Sequence, residues 1–225
     1  TQGAFISKSG DIVGARMGVE WDGQQYVVTT SGALWQFDGV QISSVVRPTG
    51  VGASAQWTPS AGANWENVDE AVADDDTSYN ESSTQGHLDL FAKGSASLAG
   101  DAMPSSLNVT LRYRRTSTGG TDPQIRVAIR VGGQTAFSNP ITLANNTNWQ
   151  TNLSLVLSGG AGFFPVQPNG SEWTVAAIES AEIGYELHVA PGAGAVRVTQ
   201  ASATMTFDTW TQSGDVEAHW LAAGP

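Results

Sequence analysis

Apolar residues alternate with polar residues in stretch after stretch of this chain, so that every second side chain is hydrophobic. This period of two places one side of a strand against a core and leaves the other side polar, as in antiparallel sheets. Helical periodicity is nearly absent, so the pattern predicts an all-β chain. The apolar members of the rows are Leu107, Val109, Leu111 and Tyr113; Ile125, Val127, Ile129 and Val131; Leu153, Leu155 and Leu157; and Ile183, Tyr185, Leu187 and Val189.

The turn residues between these rows indicate many short strands. The sequence has 26 Gly and 9 Pro, and strands separated by such residues are typical of an antiparallel β-sandwich or jelly roll. In the last row, VRVTQASATMTF, the apolar positions change phase, from Val196 and Val198 to Ala201 and its successors. The change predicts a β-bulge near Thr199 and Gln200.

The chain divides into three predicted parts. Residues 51–208 form the predicted jelly-roll core, residues 1–50 an N-terminal β-rich arm or small β-subdomain that makes assembly contacts, and residues 209–225 a short C-terminal tail. Pro and Gly residues at 48–52 predict a hinge between the arm and the core. The sequence shows no repeat of fixed period, which argues against a propeller or solenoid.

Charge and composition exclude several classes of function. The formal net charge is −11, whereas binding to nucleic acid or anionic membranes depends on Lys and Arg. The absence of cysteine rules out disulfides and thiolate metal sites. The sequence contains no run of about 18 apolar residues, so no membrane-spanning helix is predicted. The start TQGAFISKSG lacks the basic and apolar blocks of a signal peptide.

Motifs for catalysis or for cofactor binding are not found in the sequence. His87, His188 and His219 are far apart and lack metal-binding spacing, and no nucleophile elbow, phosphate-binding loop or dinucleotide fingerprint occurs. The Gly-rich pieces at 158–162 and 191–195 lack the Lys or helix start that would hold a phosphate, so they are predicted turns. No catalytic residue and no cofactor is therefore predicted.

The stretch NWENVDEAVADDDTSYNESS carries seven carboxylates and no Lys or Arg. Four interpretations are open: a calcium site, a pair of catalytic acids, the edge of a surface that meets another protein, or a plain solvated loop. Asp74 and Asp76 are weak calcium candidates, because the spacing of the acids does not match a calcium loop and consecutive side chains of an extended segment point in opposite directions. No two of the acids stand out as a glycosidase pair.

Five of the ten basic residues lie in two neighbouring predicted strands. Four of these arginines alternate with apolar residues and face away from the core; they would form one basic stripe if the two strands shared a sheet. The stripe is either a solvated face with local ion pairs or a contact for the acidic residues 66–76 of the same chain or of a neighbour. The candidate subunit-contact residues are Asp69, Glu70, Asp74, Asp75, Asp76, Arg112, Arg114, Arg126 and Arg130.

Eight tryptophans are many for 225 residues. Aromatic platforms bind sugars, so Trp57, Trp65, Trp149 and Trp173 are candidates for a carbohydrate-binding module. Large aromatic residues are also common anchors of cores and interfaces. Solvent-exposed, coplanar rings would favour the sugar-binding hypothesis, and buried rings would favour a structural role.

The series GASAQWTPSAGANWENVDEAVADDDTSYNESSTQGHLDLFA, residues 52–92, resembles a segment of small tailed-bacteriophage virion proteins. The shared pattern is Trp-x-Pro-Ser-x-Gly, then Val-Asp-Glu, an Asp-rich step and a strand that contains Asp and Phe. The later stretch SEWTVAAIESAEIGYEL and the strand QIRVAIRVGG also resemble that family. The similarity covers about residues 51–207 and does not include either end of the chain.

This resemblance implies a jelly-roll structural subunit of a phage particle. The function expected is that of a non-enzymatic virion protein, most readily a capsid decoration protein, with a tail-associated structural protein as the alternative and a carbohydrate-binding module as the rival from another class. The resemblance implies localisation in the virion after assembly in the bacterial cytoplasm. The expected partners are the major capsid or tail proteins and further copies of this chain, with a trimer as one candidate, and neither nucleic acid nor membrane.

Overall fold

The structure of the chain is a computed structural model. It describes residues 17–21, 24–28, 33–96, 103–152, 167–170 and 174–215. Within these ranges it describes the side chains of residues 43–96, 109–151, 167–170, 174–205 and 207. The predicted row Leu153, Leu155 and Leu157 lies outside the described residues, as do Trp173, His219 and residues 216–225.

Fourteen strands and one short helix lie in the described residues. The helix, α1, is Val175–Glu179, and a 3₁₀ turn occupies Asn64–Asn67. The strands are β1 (Met17–Trp21), β2 (Gln24–Val28), β3 (Ala33–Val46), β4 (Pro48–Ala55), β5 (Thr58–Pro59), β6 (Asn80–Ser82), β7 (Leu88–Lys93), β8 (Met103–Arg115), β9 (Gln124–Val131), β10 (Gln134–Phe137), β11 (Ile141–Thr142), β12 (Gln150–Asn152), β13 (Glu182–Val189) and β14 (Val196–Asp215).

The strands form two antiparallel sheets that pack face to face. Sheet A has the order β1-β2-β3-β14-β6-β5, with β8 along the other side of β14 and β12 beside β8. Sheet B has the order β10-β9-β13-β7-β4, with β11 also beside β9. This arrangement confirms the predicted all-β fold, an antiparallel sandwich of jelly-roll type.

The predicted alternation describes most of the core correctly where side chains are described; Val189, at the end of β13, is only half-buried. Ile125, Val127 and Ile129 of β9 are buried, and so are Ile183, Tyr185 and Leu187 of β13. Burying one such side chain contributes about 1.5–3 kcal/mol, so these rows account for why the two sheets close on each other.

The phase change in the last row is a β-bulge, as predicted. The register of β14 with β8 shifts between Val198 and Gln200. Val196 and Val198 before the shift and Ala201 after it are all buried. The extra residue keeps apolar side chains inward on both sides of the bulge.

The ends of β3 and β14 continue past the sandwich. The register of β8 with β14 ends at the pair Met103 and Asp208, whereas β3 pairs with β14 as far as Ala33 and Asp215. Beyond that point sheet A continues as β1, β2, residues 33–41 of β3 and residues 209–215 of β14, here called the extension. At about 3.3 Å per residue, residues 209–215 reach roughly 23 Å.

The segment predicted as a hinge lies within β4, which pairs with β7 at the edge of sheet B. The predicted boundary between residues 50 and 51 therefore falls inside a strand. Residues 42–46 of β3 pair with β14 beside the core, and residues 209–215 of the predicted tail belong to β14. The division into arm, core and tail stays a prediction.

Candidate functional site

The acidic segment, residues 66–76, leaves the 3₁₀ turn and runs beside β14. Asn67 is buried, and its side-chain Nδ2 donates to the carbonyl oxygens of Ala61, at 2.6 Å, and Ala63, at 2.8 Å. The Val68 side chain is fully buried, and its carbonyl accepts from the backbone N–H of Ala201 at 2.9 Å. The start of the segment is therefore fixed to the sandwich by a buried side chain and by backbone hydrogen bonds.

The bulge in β14 holds the middle of the segment. Thr199 is fully buried, and its hydroxyl lies 2.8 Å from the carbonyl oxygen of Ser78 and 3.2 Å from Oδ1 of Asp74. The neighbouring Gln200 donates from Nε2 to the carbonyl oxygen of Glu70 at 2.8 Å. An unbulged strand would not offer two consecutive residues to one segment in this way.

The aspartates at the end of the segment pair with arginines of the same chain. Both guanidinium nitrogens Nε and Nη2 of Arg112 donate to Asp75, at 2.5 and 2.7 Å. This bidentate contact lowers the pKa of Asp75 because it favours the charged carboxylate. Asp76 pairs with Arg114 and lies 3.6 Å from Nη1 of Arg197.

Two aromatic rings lie against these arginines on the outer face of sheet A. The guanidinium carbon of Arg114 is 4.8 Å from the ring centroid of Trp149. That of Arg197 is 4.0 Å from the ring of Tyr79, and Nε of Arg197 also donates to Glu81 at 2.5 Å. Ion pairs and cation–π contacts thus bind residues 75–81 to β8 and β14.

The single basic stripe predicted from the sequence is wrong. Arg112 and Arg114 lie on β8 in sheet A, whereas Arg126 and Arg130 lie on β9 in sheet B. Since the inward sides of the two sheets face each other, the two pairs point to opposite outer faces. The arginines of β9 pair locally with β13: Nη2 of Arg126 is 2.8 Å from Glu186, and Nε of Arg130 is 3.8 Å from Glu182.

The arginines were interpreted either as a contact for the acidic segment or as a solvated face with local ion pairs, and each interpretation describes one of the two sheets. On sheet A the arginines meet the acidic segment of the same chain. On sheet B they make ion pairs on the sheet surface. A role of any of these residues between subunits stays a prediction.

Asp69 and Glu70 have no arginine or lysine within 4 Å among the described residues. Burial raises the pKa of both carboxyls; nearby Glu66 adds to the shift of Asp69, and Asp74 and Asp69 add to that of Glu70. Oε1 of Glu70 and Oδ1 of Asp74 are each 2.8 Å from the Ser78 hydroxyl, which can donate to one of them at a time. Negative charge at residues 66–70 is therefore uncompensated within the described part of the chain.

The two calcium candidates are both engaged by protein groups. Asp74 accepts from the backbone N–H of Ser78 at 3.3 Å, and Asp76 meets two arginines. Within the ranges that the structure describes, no three His, Asp or Glu side chains are grouped so as to hold a metal ion.

A buried aspartate, which the sequence pattern did not reveal, secures the base of the acidic segment. Asp89 of β7 is fully buried, and its carboxylate accepts from the backbone N–H groups of Gln56, at 2.7 Å, and Trp57, at 2.9 Å, and from Nδ2 of Asn64, at 2.6 Å. Burial raises its pKa despite these three donors. Asp89 alternates with Leu88 and Leu90, so the period of two would have placed it on the outer face.

Tyr185 of β13 completes this buried polar group. It pairs with Asp89 across the strands, and its hydroxyl accepts from Nδ2 of Asn80 at 2.9 Å. Burial raises the pKa of Tyr185 well above its usual value. Its ring packs edge-on against Trp57 at 4.9 Å between centroids. These contacts join β6 of sheet A to β7 and β13 of sheet B.

The three candidate tryptophans that the structure describes have different environments. Trp57 is buried, and Trp65 is half-buried and packs against the core. Trp149 is half-buried next to Arg114. Among the histidines, His188 is half-buried, and Nδ1 of His87 lies 3.0 Å from the Ser82 hydroxyl.

None of the helices in the described ranges is long and apolar enough to cross a membrane.

No protein-family model and no curated protein matches the sequence. The chain is similar to part of a solved structure of an arabinose-bound α-L-arabinofuranosidase, with 13% identical residues and a TM-score of 0.40 over 75% of this chain. The chain spans 27% of the length of that chain. A likeness at this level carries no argument about function.

Proposed function

We propose that this chain is a non-enzymatic structural protein of a bacteriophage virion, and within that class a capsid decoration protein. The resemblance of residues 52–92 to small virion proteins supports the class. A tail-associated structural protein is the alternative within it. Assembly takes place in the bacterial cytoplasm, and the partners are other virion proteins and further copies of the chain.

The extension is the observation that carries the proposal. A decoration or tail protein needs one part that keeps its shape and another that reaches its neighbour. The sandwich has a continuous buried core, while the extension continues past it on β3 and β14. Along residues 209–215, the side of β14 away from β3 pairs with no described strand, and an open strand edge can add a strand from a neighbour.

The ion pairs at and after the end of the acidic segment support the same proposal, because a structural subunit needs a part that keeps its shape. Asp75, Asp76 and Glu81 are bound to arginines of the same sandwich, so this side of the molecule is held by its own ion pairs. The burial of Trp57 agrees better with a structural role than with a sugar platform, because a buried ring cannot stack on a sugar.

Co-sedimentation tests this proposal. Purified chain is mixed with particles of the encoding phage that were assembled without it, and the pellet is compared with that of a variant that ends at Asp208 and so lacks the open edge along residues 209–215. We expect the complete chain to sediment with the particles and the shortened chain to stay in the supernatant. Equal behaviour of the two chains would contradict the role of the extension, and binding to a glycan array without any particle binding would give the lead to a carbohydrate-binding module.

A further inference from the structure

Within the described part of the chain, the extension is a single layer of strands. Apart from marginal contacts, β1 packs against β2 alone, and β2 packs against β1 and β3 alone. No strand of sheet B has more than marginal contact with β1, β2 or β3. Both faces of the extension therefore lack a covering sheet among the described residues.

The backbone register places apolar residues on both faces of this layer. Residues directly opposite each other on antiparallel neighbours lie on the same face, and successive residues of a strand lie on opposite faces. One face has the positions of Met17, Val19, Tyr26, Val28 and Leu34. The other face has the positions of Val27, Trp35, Phe37 and Trp210.

This two-sided pattern differs from that of the sandwich strands. In β9 the apolar row is buried, while Arg126 and Arg130 lie on the outer face in ion pairs. Strands with apolar residues on both sides are typical of sheets that are covered on both faces, and contiguous apolar surface outside a core marks a contact with another molecule. The extension therefore requires a covering partner on each face.

The size of the layer also indicates that both faces take part. Four strands about 4.8 Å apart make it roughly 19 Å wide. Strands β1 and β2 have 5 residues each, and at about 3.3 Å per residue the layer is roughly 17–23 Å long. Each face thus covers on the order of 400 Å², whereas one partner of a standard interface contributes about 800 Å². Only a contact with both faces reaches that area.

The charged residues of the extension all have one sign. Its strands contain Glu20, Asp38 and Asp215 and no Lys, Arg or His. Glu20 lies on the edge strand β1, Asp215 ends β14, and Asp38 lies where the register of β3 with β14 shifts. The carboxylates thus border the apolar rows. A complementary surface is apolar in its centre and carries Lys or Arg at its rim.

A second copy of this chain does not offer such a surface. Of the seven arginines whose side chains are described, six pair with carboxylates of their own chain. Lys93 is buried, and its Nζ donates to the carbonyl oxygen of Glu179 at 3.3 Å. Two copies would also bring together two net charges of −11. Charge complementarity therefore favours a different protein.

We propose that the extension inserts into a cleft of another protein, between two apolar surfaces whose rim carries Lys or Arg. Residues on both faces are then covered at once, and the three carboxylates meet the cations of the rim. The open edge along residues 209–215 can pair with a strand of the same partner. The inference rests on the proposed function only where it identifies that partner as a capsid or tail protein.

Measurements on the isolated complete chain test whether the two faces are open. We expect a monomer that binds the neutral dye Nile red, whose fluorescence rises at apolar surfaces. Val19→Asp and Val27→Asp, on opposite faces, should each lower this fluorescence. Val51→Asp is the matched control, because Val51 is 63% exposed but lies on β4 in sheet B, and it should change the fluorescence little.

Two results with the isolated chain would overturn the proposal. Equal fluorescence of the wild type and both extension variants would mean that residues of the same chain cover the faces. A wild-type oligomer in sedimentation velocity that either extension variant dissociates would mean that a second copy covers them.

Binding to phage particles assembled without the chain tests the partner. Val19→Asp and Val27→Asp should each raise the dissociation constant about tenfold or more, and Val51→Asp should leave it unchanged. Val19→Thr and Val27→Thr keep the β-branched shape and the strand propensity, so they should weaken binding less but in the same direction. Circular dichroism checks that each variant is folded.

The outcomes of this binding experiment separate the two proposals. A wild type that binds while the variants of one face bind equally well would refute insertion into a cleft and leave the proposed function standing. A wild type that does not bind would contradict the proposed function, and the dye measurement would still decide whether the faces are open.

Ionic strength tests the basic rim. The affinity for the particles should fall as salt is added, because exposed ion pairs are screened. The double variant Glu20→Gln with Asp38→Asn should show a smaller dependence on salt. A wild-type affinity that is constant or rises with salt would refute the cationic rim.

Discussion

Asp75 and Asp89 show how differently two aspartates of one chain can be held. Asp75 lies near the surface in a bidentate contact with Arg112, which lowers its pKa. Asp89 is buried with three hydrogen-bond donors but makes no ion pair within 4 Å among the described residues, and burial raises its pKa. Their contributions to stability therefore depend on pH with opposite sign.

Asp75→Asn should lower the free energy of unfolding by about 0.5–1 kcal/mol at neutral pH, the usual worth of a partly exposed ion pair. Asn tolerates the positive φ of 58° at this position, so the backbone is conserved. The folded-state pKa is lowered, so the stabilisation is present above the ordinary value of 3.8 and is lost as the pH falls through the folded-state value. Urea unfolding of both proteins at neutral and acid pH measures this, and an equal difference at the two pH values would contradict it.

Asp89→Ala should cost about 3 kcal/mol or more, because three donors lose their acceptor in the interior. The folded-state pKa of Asp89 is raised, so its contribution is complete below 3.8 and falls as the pH rises through the folded-state value. The cost of the substitution should therefore be larger in acid than at neutral pH. Urea unfolding across this range provides the test; a cost that grows with pH would show that the pKa is lowered instead.

At the scale of elements, the connection between β8 and β9 decides where the arginines lie. Residues 116–123 join two strands of similar pattern that belong to different sheets. The fully buried Arg115 begins this loop and pairs with Asp122, with 2.5 Å between Nη1 and Oδ1. Backbone hydrogen bonds join the loop to residues 192–195, such as Gly192 N–H to Thr121 O at 3.2 Å.

The sequence could predict each strand's inward side but not its sheet. Alternation is a local property, so the buried rows of β9 and β13 and the bulge at Thr199 were predictable. Whether β8 and β9 are neighbours depends on contacts far apart in sequence, such as the pairing of β8 with β14. The burial of Asp89 was hidden for the same reason, since its donors Gln56, Trp57 and Asn64 are 25 or more residues away.

Gly120→Ala should destabilise the contact between the loop of residues 116–123 and residues 192–195. A Cβ on Gly120 would lie 2.6 Å from Cα of Gly192, and its φ is 77°. Gly132→Ala is the matched control, because its φ of 57° is also positive but no atom lies within 4 Å of the added Cβ. The control should lose about 1–2 kcal/mol for the backbone conformation alone, and Gly120→Ala should lose clearly more in urea unfolding. Equal losses would mean that the loops separate freely.

At the scale of the whole molecule, β3 and β14 connect two parts with different roles. Residues 42–46 of β3 pair with β14 beside the core, and Val46 is 3% exposed. Residues 33–41 of the same strand belong to the extension. A cut before β3 would therefore keep the strand that pairs with β14 beside the core.

Removal of residues 1–32 should leave a folded sandwich, because β3 and its pairing with β14 remain. Removal of residues 1–46 should unfold it or lower its melting temperature sharply, since β14 loses a partner strand and the core loses Val46. Circular dichroism melting curves of the two shortened chains distinguish these outcomes. Similar melting of both would show that β3 contributes little to the sandwich.

Quantitative mass spectrometry of gradient-purified phage particles tests the structural role most directly. The lysate comes from cells infected with the phage that encodes the chain, and the chain is counted against the major capsid and tail proteins across the gradient. A structural protein should appear in the particle fractions at a constant ratio to one of them, with many copies per particle. If the chain is found only among the soluble proteins at the top of the gradient, the proposed virion role is wrong.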